Sequence, residues 1–236
     1  MTETEIKRVL AVFAHPDDPE FFCGATMARW ASEGAQITFL LATSGDKGSD
    51  DHEMTPERLI VIREAEERSA AAALGVHDVI FLRYPDGELT PSLELRRDIA
   101  RVIRLRQADI VVTNDPTVVW YPGRGINHSD HRAIGEATLD AIFPAARNAM
   151  YFPELLRDEG LEPYKVRQIY IARSLNPTTK VDVTAYIDAK IMALREHKSQ
   201  IADMDGLEKR IRELIDPEAP SDAPRYTESF HVITYE

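Results

Sequence analysis

The chain has 236 residues and carries 40 acidic against 28 basic side chains, a formal net charge of −12. That balance disfavours nonspecific binding to nucleic acid or to an anionic membrane surface, and an apolar fraction of 44% is ordinary for a globular protein. No apolar run approaches the length of a bilayer span, the segment from Met1 to Arg8 lacks the apolar core of a signal peptide, and Cys23 has no second cysteine to pair with. The expectation is one soluble, cytoplasmic domain over residues 1–236, with a homo-oligomer allowed but not specified.

Short β-branched runs alternate with longer segments of helical period, the pattern of α/β units around a mostly parallel sheet. Val9 to Phe13, Ile37 to Ala42, Val79 to Leu82 and Ile110 to Thr113 are apolar nearly throughout, as strands covered on both faces are. A helix over Glu57 to Leu74 is announced by Thr55-Pro56-Glu57 and stopped by Gly75. Leu95, Ile99, Val102 and Ile103 mark the buried face of the next, and a third begins near Asp130 with Ile134, Ala137, Ala141 and Ile142 on one stripe. Beyond Pro153 the alternation weakens. Ile169 to Ala172 and Val232 to Tyr235 read as strands, Ile187 to Ile201 as a helix, and Asp216 to Arg225 as a loop. The fold class is therefore α/β, a three-layer Rossmann-like arrangement with helices on both faces of the sheet and a variable part from about residue 150.

The chemistry-bearing residues stand just past strands, where open α/β sheets gather their ligands. After the first comes Ala14-His15-Pro16-Asp17-Asp18-Pro19-Glu20; a loop beyond the fourth carries Asn127-His128-Ser129-Asp130-His131. Imidazole and carboxylate are the ligands of a small divalent cation in a site that keeps one position for water, and His15, Asp18 and His131 would supply three. Asp17 and Asp18 are neighbours in a tight turn, so their side chains diverge and take different roles. Asp17 is free to take a proton from water, and His128 to stabilise an oxyanion or protonate a leaving amine.

These two segments resemble the signature of the LmbE-like, or PIG-L-type, zinc-dependent N-deacetylases: Ala-His-Pro-Asp-Asp-x-Glu after the first strand and His-x-Asp-His later. The resemblance implies that His15, Asp18 and His131 bind Zn2+, that Asp17 is the general base, and that His128 assists the oxyanion or leaving group. It further implies hydrolysis of an N-acetyl group on an amino sugar or N-acetylglucosamine conjugate. Weaker echoes are Thr43-Ser44-Gly45-Asp46-Lys47-Gly48, Arg63 as an arginine that reaches substrate, and Tyr84-Pro85-Asp86-Gly87 at the pocket rim, with Asp86 as a second substrate contact. The likeness covers residues 8 to 145 and is poor in the last third. Ser129 stands where many members have Pro.

Competing readings stay open at this point. The first motif could be an Asx-rich turn capping a helix that starts near Phe21, and Asp86 a residue of a Pro-Asp-Gly turn. Arg63 could pair with Glu66 or Glu67 on an exposed face, and His52, His77, His197 and His231 default to surface or packing roles. Histidine and carboxylate ligands also accept Fe2+ or another divalent transition metal. The function classes are an N-deacetylase, another metal-dependent amidase or esterase, or an inactive sugar- or nucleotide-binding relative. No Gly-x-Gly-x-x-Gly follows the first strand to favour a dinucleotide.

Overall fold

A computed structural model describes residues 8–220 and 222–235; of the polar amino-terminal segment, residues 1–7 lie outside the described residues, as does position 221 of the loop read at Asp216 to Arg225. In chain order the first elements are β1 (Arg8–Phe13), α1 (Asp18–Ser32), β2 (Gln36–Thr43), α2 (Pro56–Ala73), β3 (Asp78–Tyr84), α3 (Leu93–Arg106) and β4 (Ile110–Asn114). A two-stranded ribbon, β5 (Trp120–Tyr121) and β6 (Gly125–Ile126), leads into α4 (Ser129–Asp140). There follow α5 (Pro153–Arg157), β7 (Gln168–Ala172), β8 (Thr179–Asp182), α6 (Ile187–Leu194), α7 (Met204–Glu213) and β9 (Thr227–Thr234).

Seven strands form one sheet in the order β3-β2-β1-β4-β7-β9-β8. The first five are parallel neighbours, whereas β9 runs antiparallel to both β7 and β8. Because successive side chains on a strand face opposite ways, β1 feeds two cores. Leu10 and Val12 join α3 and α4 on one face; Val9, Ala11 and Phe13 join α1, α2 and α6 on the other. The chain builds outward from β1 through β2 to β3, then α3 returns it to β4 on the opposite side of β1. The order reverses at that point, so the carboxyl ends of β1 and β4 flank a crevice that helices do not fill.

Local chemistry accounts for the elements. Thr55 accepts from the Arg58 amide at the start of α2, Pro56 occupies the first turn, and Gly75 follows with φ +79°. Helix α1 begins at Asp18, three residues before the position expected, since Pro19 is preset for a first helical turn. The helix expected over Ile187 to Ile201 ends at Leu194. Beyond it, Ser199 gives its amide and hydroxyl to Glu66, and Gln200 reaches the Gly48 carbonyl, so side-chain bonds replace a continuing helical ladder. Helix α7, the short edge strand β8 and the ribbon β5–β6 were not expected from the sequence. Among the described residues no helix is long and apolar enough to cross a membrane.

Candidate metal centre

The residues after β1 make a tight turn: the Asp18 amide donates to the His15 carbonyl, and the His15 amide returns a bond to Asp18 Oδ2 at 2.9 Å. Asp17, between them, has φ +91°, a left-handed conformation that costs a non-glycine residue about 1–2 kcal/mol. Its amide donates to Glu67 Oε2 at 2.9 Å. Although Asp17 stands before the first turn of α1, its side chain caps no amide of the helix. It meets Arg63 Nη2 at 3.3 Å instead and lines the crevice, which an Asx cap would not do.

Asp18 points the other way. Its Oδ1 lies 3.1 Å from His131 Nε2 and its Oδ2 3.4 Å from His15 Nδ1, and all three ligand atoms fall within 4.8 Å of one another. Asn127 donates through Nδ2 to the Val118 carbonyl at 2.8 Å, so its Oδ1 is the atom facing His131 Nδ1 at 3.2 Å. The Nδ1 of His131 therefore carries the proton, and the Nε2 lone pair faces Asp18. On His15, Nε2 faces carboxylate oxygens of Asp86 at 3.1 Å and Asp130 at 3.4 Å, which places its proton there and leaves Nδ1 toward Asp18. His131 Nε2, His15 Nδ1 and the Asp18 carboxylate thus converge on one place. Burial works against a charged His15, yet hydrogen bonds to Asp130, Asp18 and Asp86 raise its pKa to about 12 without a metal, so a cation taking Nδ1 would displace a proton from it. Burial would raise the pKa of Asp18, but His131 and His15 drive it far below the usual range. This donor set fits a divalent cation of the kind that takes nitrogen and oxygen ligands.

Among the described residues Asp17 belongs to no such trio, whereas His128 forms an alternative one with His15 and Asp130, their ligand atoms also within 4.8 Å of one another. Burial and the neighbouring charge of Asp18 raise the pKa of Asp17 to about 6, against the opposing charge of Arg63. His128 precedes α4, and its Nδ1 accepts the Asp130 amide at 3.2 Å, so the neutral ring carries its proton on Nε2. Burial and the charge of His15 lower its pKa, which keeps the ring neutral. Its ring stands edge-on to His15 at 4.7 Å, and both line a cavity of about 440 Å³ with Asp17, Asp18, Lys47, Gly48, Arg63, Asp86 and His131.

Arg63 and Asp86 reach this cavity by different means. The guanidinium is buried, not on an exposed face, and donates to the Pro16 and Gly45 carbonyls at 2.7 and 3.2 Å besides Asp17. Gly45 and Gly48 pack so closely on it that a Cβ at either would come within 2.5 Å of Arg63 Nη1. Asp86 belongs to a turn, as Gly87 with φ +75° attests, and also holds His15; burial would raise its pKa, but His15 brings it to about 2.

Several residues escaped the sequence reading. Asp130, fully buried, takes the amides of Gly87 and Leu89 and so ties the rim turn to the helix bearing His131. Asn127, one residue before the cap of α4, was also missed, and Glu67, expected only as an exposed partner of Arg63, is buried and takes the Asp17 amide. Behind Asp17, Glu20, Glu67 and His197 form a buried cluster, with His197 Nε2 3.3 Å from Glu20 Oε2 and 3.9 Å from Glu67 Oε2. His197 has no local sequence signal at all. Farther along α1, Glu228 from β9 accepts the Ala25 and Thr26 amides while Lys190 donates to the Phe21 carbonyl and to Glu228.

Fold and donor set together define a class: an α/β protein with histidine and aspartate groups that could hold a divalent cation at the switch point of its sheet. The model of the PIG-L family, GlcNAc-PI de-N-acetylase, matches residues 10–142, and the chain belongs to this family. It is 31% identical to the diacetylchitobiose deacetylase of Thermococcus kodakarensis, over 84% of this chain and 72% of that one. It is 30% identical to a 1D-myo-inositol 2-acetamido-2-deoxy-alpha-D-glucopyranoside deacetylase of Kineococcus radiotolerans, over 84% and 70%. The structure of the N,N'-diacetylchitobiose deacetylase from Pyrococcus horikoshii in complex with an inhibitor superposes with a TM-score of 0.84 at 29% identity, covering 97% of this chain and 84% of that one.

Proposed function

We propose that this chain is a zinc-dependent hydrolase that removes the N-acetyl group from an amino-sugar conjugate. The observation that carries the reading is the division of labour at one cavity: three converging ligands, a separate carboxylate whose pKa is raised to about 6, and a neutral imidazole presenting Nε2–H. His15 Nδ1, Asp18 and His131 Nε2 would hold the cation, which when bound supplies a Lewis acid and lowers the pKa of water. Asp17 accepts the proton of the water that attacks the acetamide carbon. As the carbonyl oxygen gains charge, the Nε2–H of His128 donates to it. The C–N bond then breaks, and the proton held by Asp17 passes to the departing nitrogen, giving free amine and acetate.

Arg63 and Asp86 act in this reading mainly through their neighbours. Arg63 fixes the Asp17 carboxylate and Asp86 fixes the His15 ring, while their place in the cavity wall leaves them within reach of sugar hydroxyls. We further propose one functional unit over the whole chain, supported by β7 and β9 in the same sheet and by His197 behind Asp17, and a cytoplasmic location. The test is metal content of the purified protein beside His131→Ala, followed by acetate release from N-acetylglucosamine conjugates. Near-stoichiometric zinc that falls in the variant, with acetate released only by the wild type, is expected. A wild type that holds no metal after reconstitution would sink the reading; iron in place of zinc would change the cofactor and keep the mechanism.

A further inference from the structure

Beside the catalytic cavity lies a second groove of about 590 Å³, and Phe21 and Phe22 line both. Phe22 sets its ring edge-on to His131 at 5.5 Å, so the two cavities meet at the Phe21–Phe22 wall beside the candidate ligands. The groove is lined by Arg124, Arg173, Lys190 and Arg210 against Glu213 and Glu228, with Val183, Ile187, Leu207 and Ile211 among its apolar residues. Lys190 and Glu228 neutralise each other, with their nitrogen and oxygen 2.7 Å apart. Among the described residues, no carboxylate lies within ion-pair distance of Arg124, Arg173 or Arg210. In a chain of net charge −12, three unpaired arginines facing one unpaired glutamate make a local field of opposite sign to the molecule.

Arg173 is placed for a ligand. It stands one residue past β7, at the carboxyl edge of the sheet where the two motifs also lie. Its backbone is left-handed, φ +62°, a conformation held against intrinsic preference. The guanidinium carbon lies over two aromatic rings, 5.3 Å from the Phe22 centroid and 4.3 Å from that of Tyr121, contacts that restrict its movement. A restricted, unpaired guanidinium is the group that recognises carboxylate or phosphate by two parallel hydrogen bonds.

We infer that the amino-sugar conjugate bears an anionic group, a carboxylate or a phosphate, beyond its reacting acetamide, and that Arg173 with Arg124 and Arg210 receives it in the groove behind Phe21 and Phe22. This rests on the deacetylase reading for the sugar but not for the anion, and the experiment separates the two. Calorimetric titration of the zinc-loaded protein would compare N-acetylglucosamine 1-phosphate, the N-acetylglucosaminide of glycolic acid and the neutral methyl N-acetylglucosaminide, with wild type, Arg173→Met and Arg210→Met. At least one anionic glycoside binds about tenfold more tightly than the methyl glycoside, and that ratio shrinks about fivefold or more in Arg173→Met; whichever anion keeps the larger ratio identifies the group. The Arg210→Met variant, on an exposed face of α7, reads the same ratio should Arg173→Met fold poorly. Equal affinities within twofold, or a ratio that neither variant changes, overturn the inference. So does inorganic phosphate competing as well as the phosphate-bearing sugar. Acetate released from the methyl glycoside without any anionic preference sinks the anion site alone; tight anionic binding with no acetate from any glycoside sinks the deacetylase reading alone.

Discussion

Asparagine at position 17 separates proton transfer from every other duty of the metal-site turn. Asp17→Asn keeps the size of the side chain, and Asn tolerates the left-handed backbone at φ +91° as well as Asp does. It removes a proton acceptor, and general-base catalysis contributes about 10²–10⁴ in rate, or about 2.7–5.4 kcal/mol of barrier. The effects on stability oppose each other. Withdrawing a charge beside Asp18 relieves the repulsion that raises the pKa of Asp17, while Arg63 loses its charged partner but keeps the carbonyls of Pro16 and Gly45. The net change should stay within about 1 kcal/mol, roughly 2–4 °C in Tm for a chain of this length. Acetate release at saturating substrate, metal stoichiometry by mass spectrometry and a melting curve on the same preparation make the assay. Turnover within threefold of wild type would refute Asp17 as the base, and loss of metal in step with turnover would assign the side chain to holding the cation.

Asn127→Leu takes away the acceptor that fixes the proton of His131 Nδ1, so metal affinity measured by chelator competition should fall about 10–100-fold; an unchanged affinity would mean the ring needs no orienting partner. Gly45→Ala asks a Cβ to stand 2.2 Å from the Arg63 guanidinium at φ +65°, and should cost about 1–3 kcal/mol in chemical unfolding together with a drop in kcat, which a merely strained loop would not produce. At the opposite edge of the sheet, burial would raise the pKa of Asp109, but Tyr164 and Arg8 hold it below the usual carboxylate range. Its folded-state pKa being depressed, Asp109 stabilises fully above about pH 4 and loses that contribution as pH falls through the folded value. Melting curves of Asp109→Asn and wild type should therefore differ above about pH 4 and draw together as pH falls below it; a gap that stays constant would contradict the linkage.

The strands were legible because burial on both faces leaves them apolar throughout, as in Val9 to Phe13 and Ile110 to Thr113. The two motifs were legible because histidine and paired carboxylates after a strand have little structural use. Arg63 was singled out only through the resemblance, and the burial of Arg63 and Glu67 was not legible, since charges on a helix are ordinarily solvated; here α2 turns both inward against the turn after β1. The last third resisted reading for a different reason. His197 finds its partners 177 residues earlier at Glu20, so nothing nearby in sequence marks it. Helix α7 buries only Ile211, and β8 alternates half-buried and exposed positions at the sheet edge, which gives both little apolar signal.

The dependence of α1 on β9 carries a consequence for biosynthesis. Glu228 takes the amides of Ala25 and Thr26 across a separation of up to 203 residues, and β9 lies between β7 and β8 in the sheet. At translation rates of about 5–20 residues per second, the metal-site turn leaves the ribosome roughly 10–40 s before the strand that braces its helix. Throughout that interval the nascent chain exposes His15, Asp17 and Asp18 without the support of His197 or Glu228. The braced form of the ligand turn is thus a late product of folding, reached only once β9 has joined the sheet.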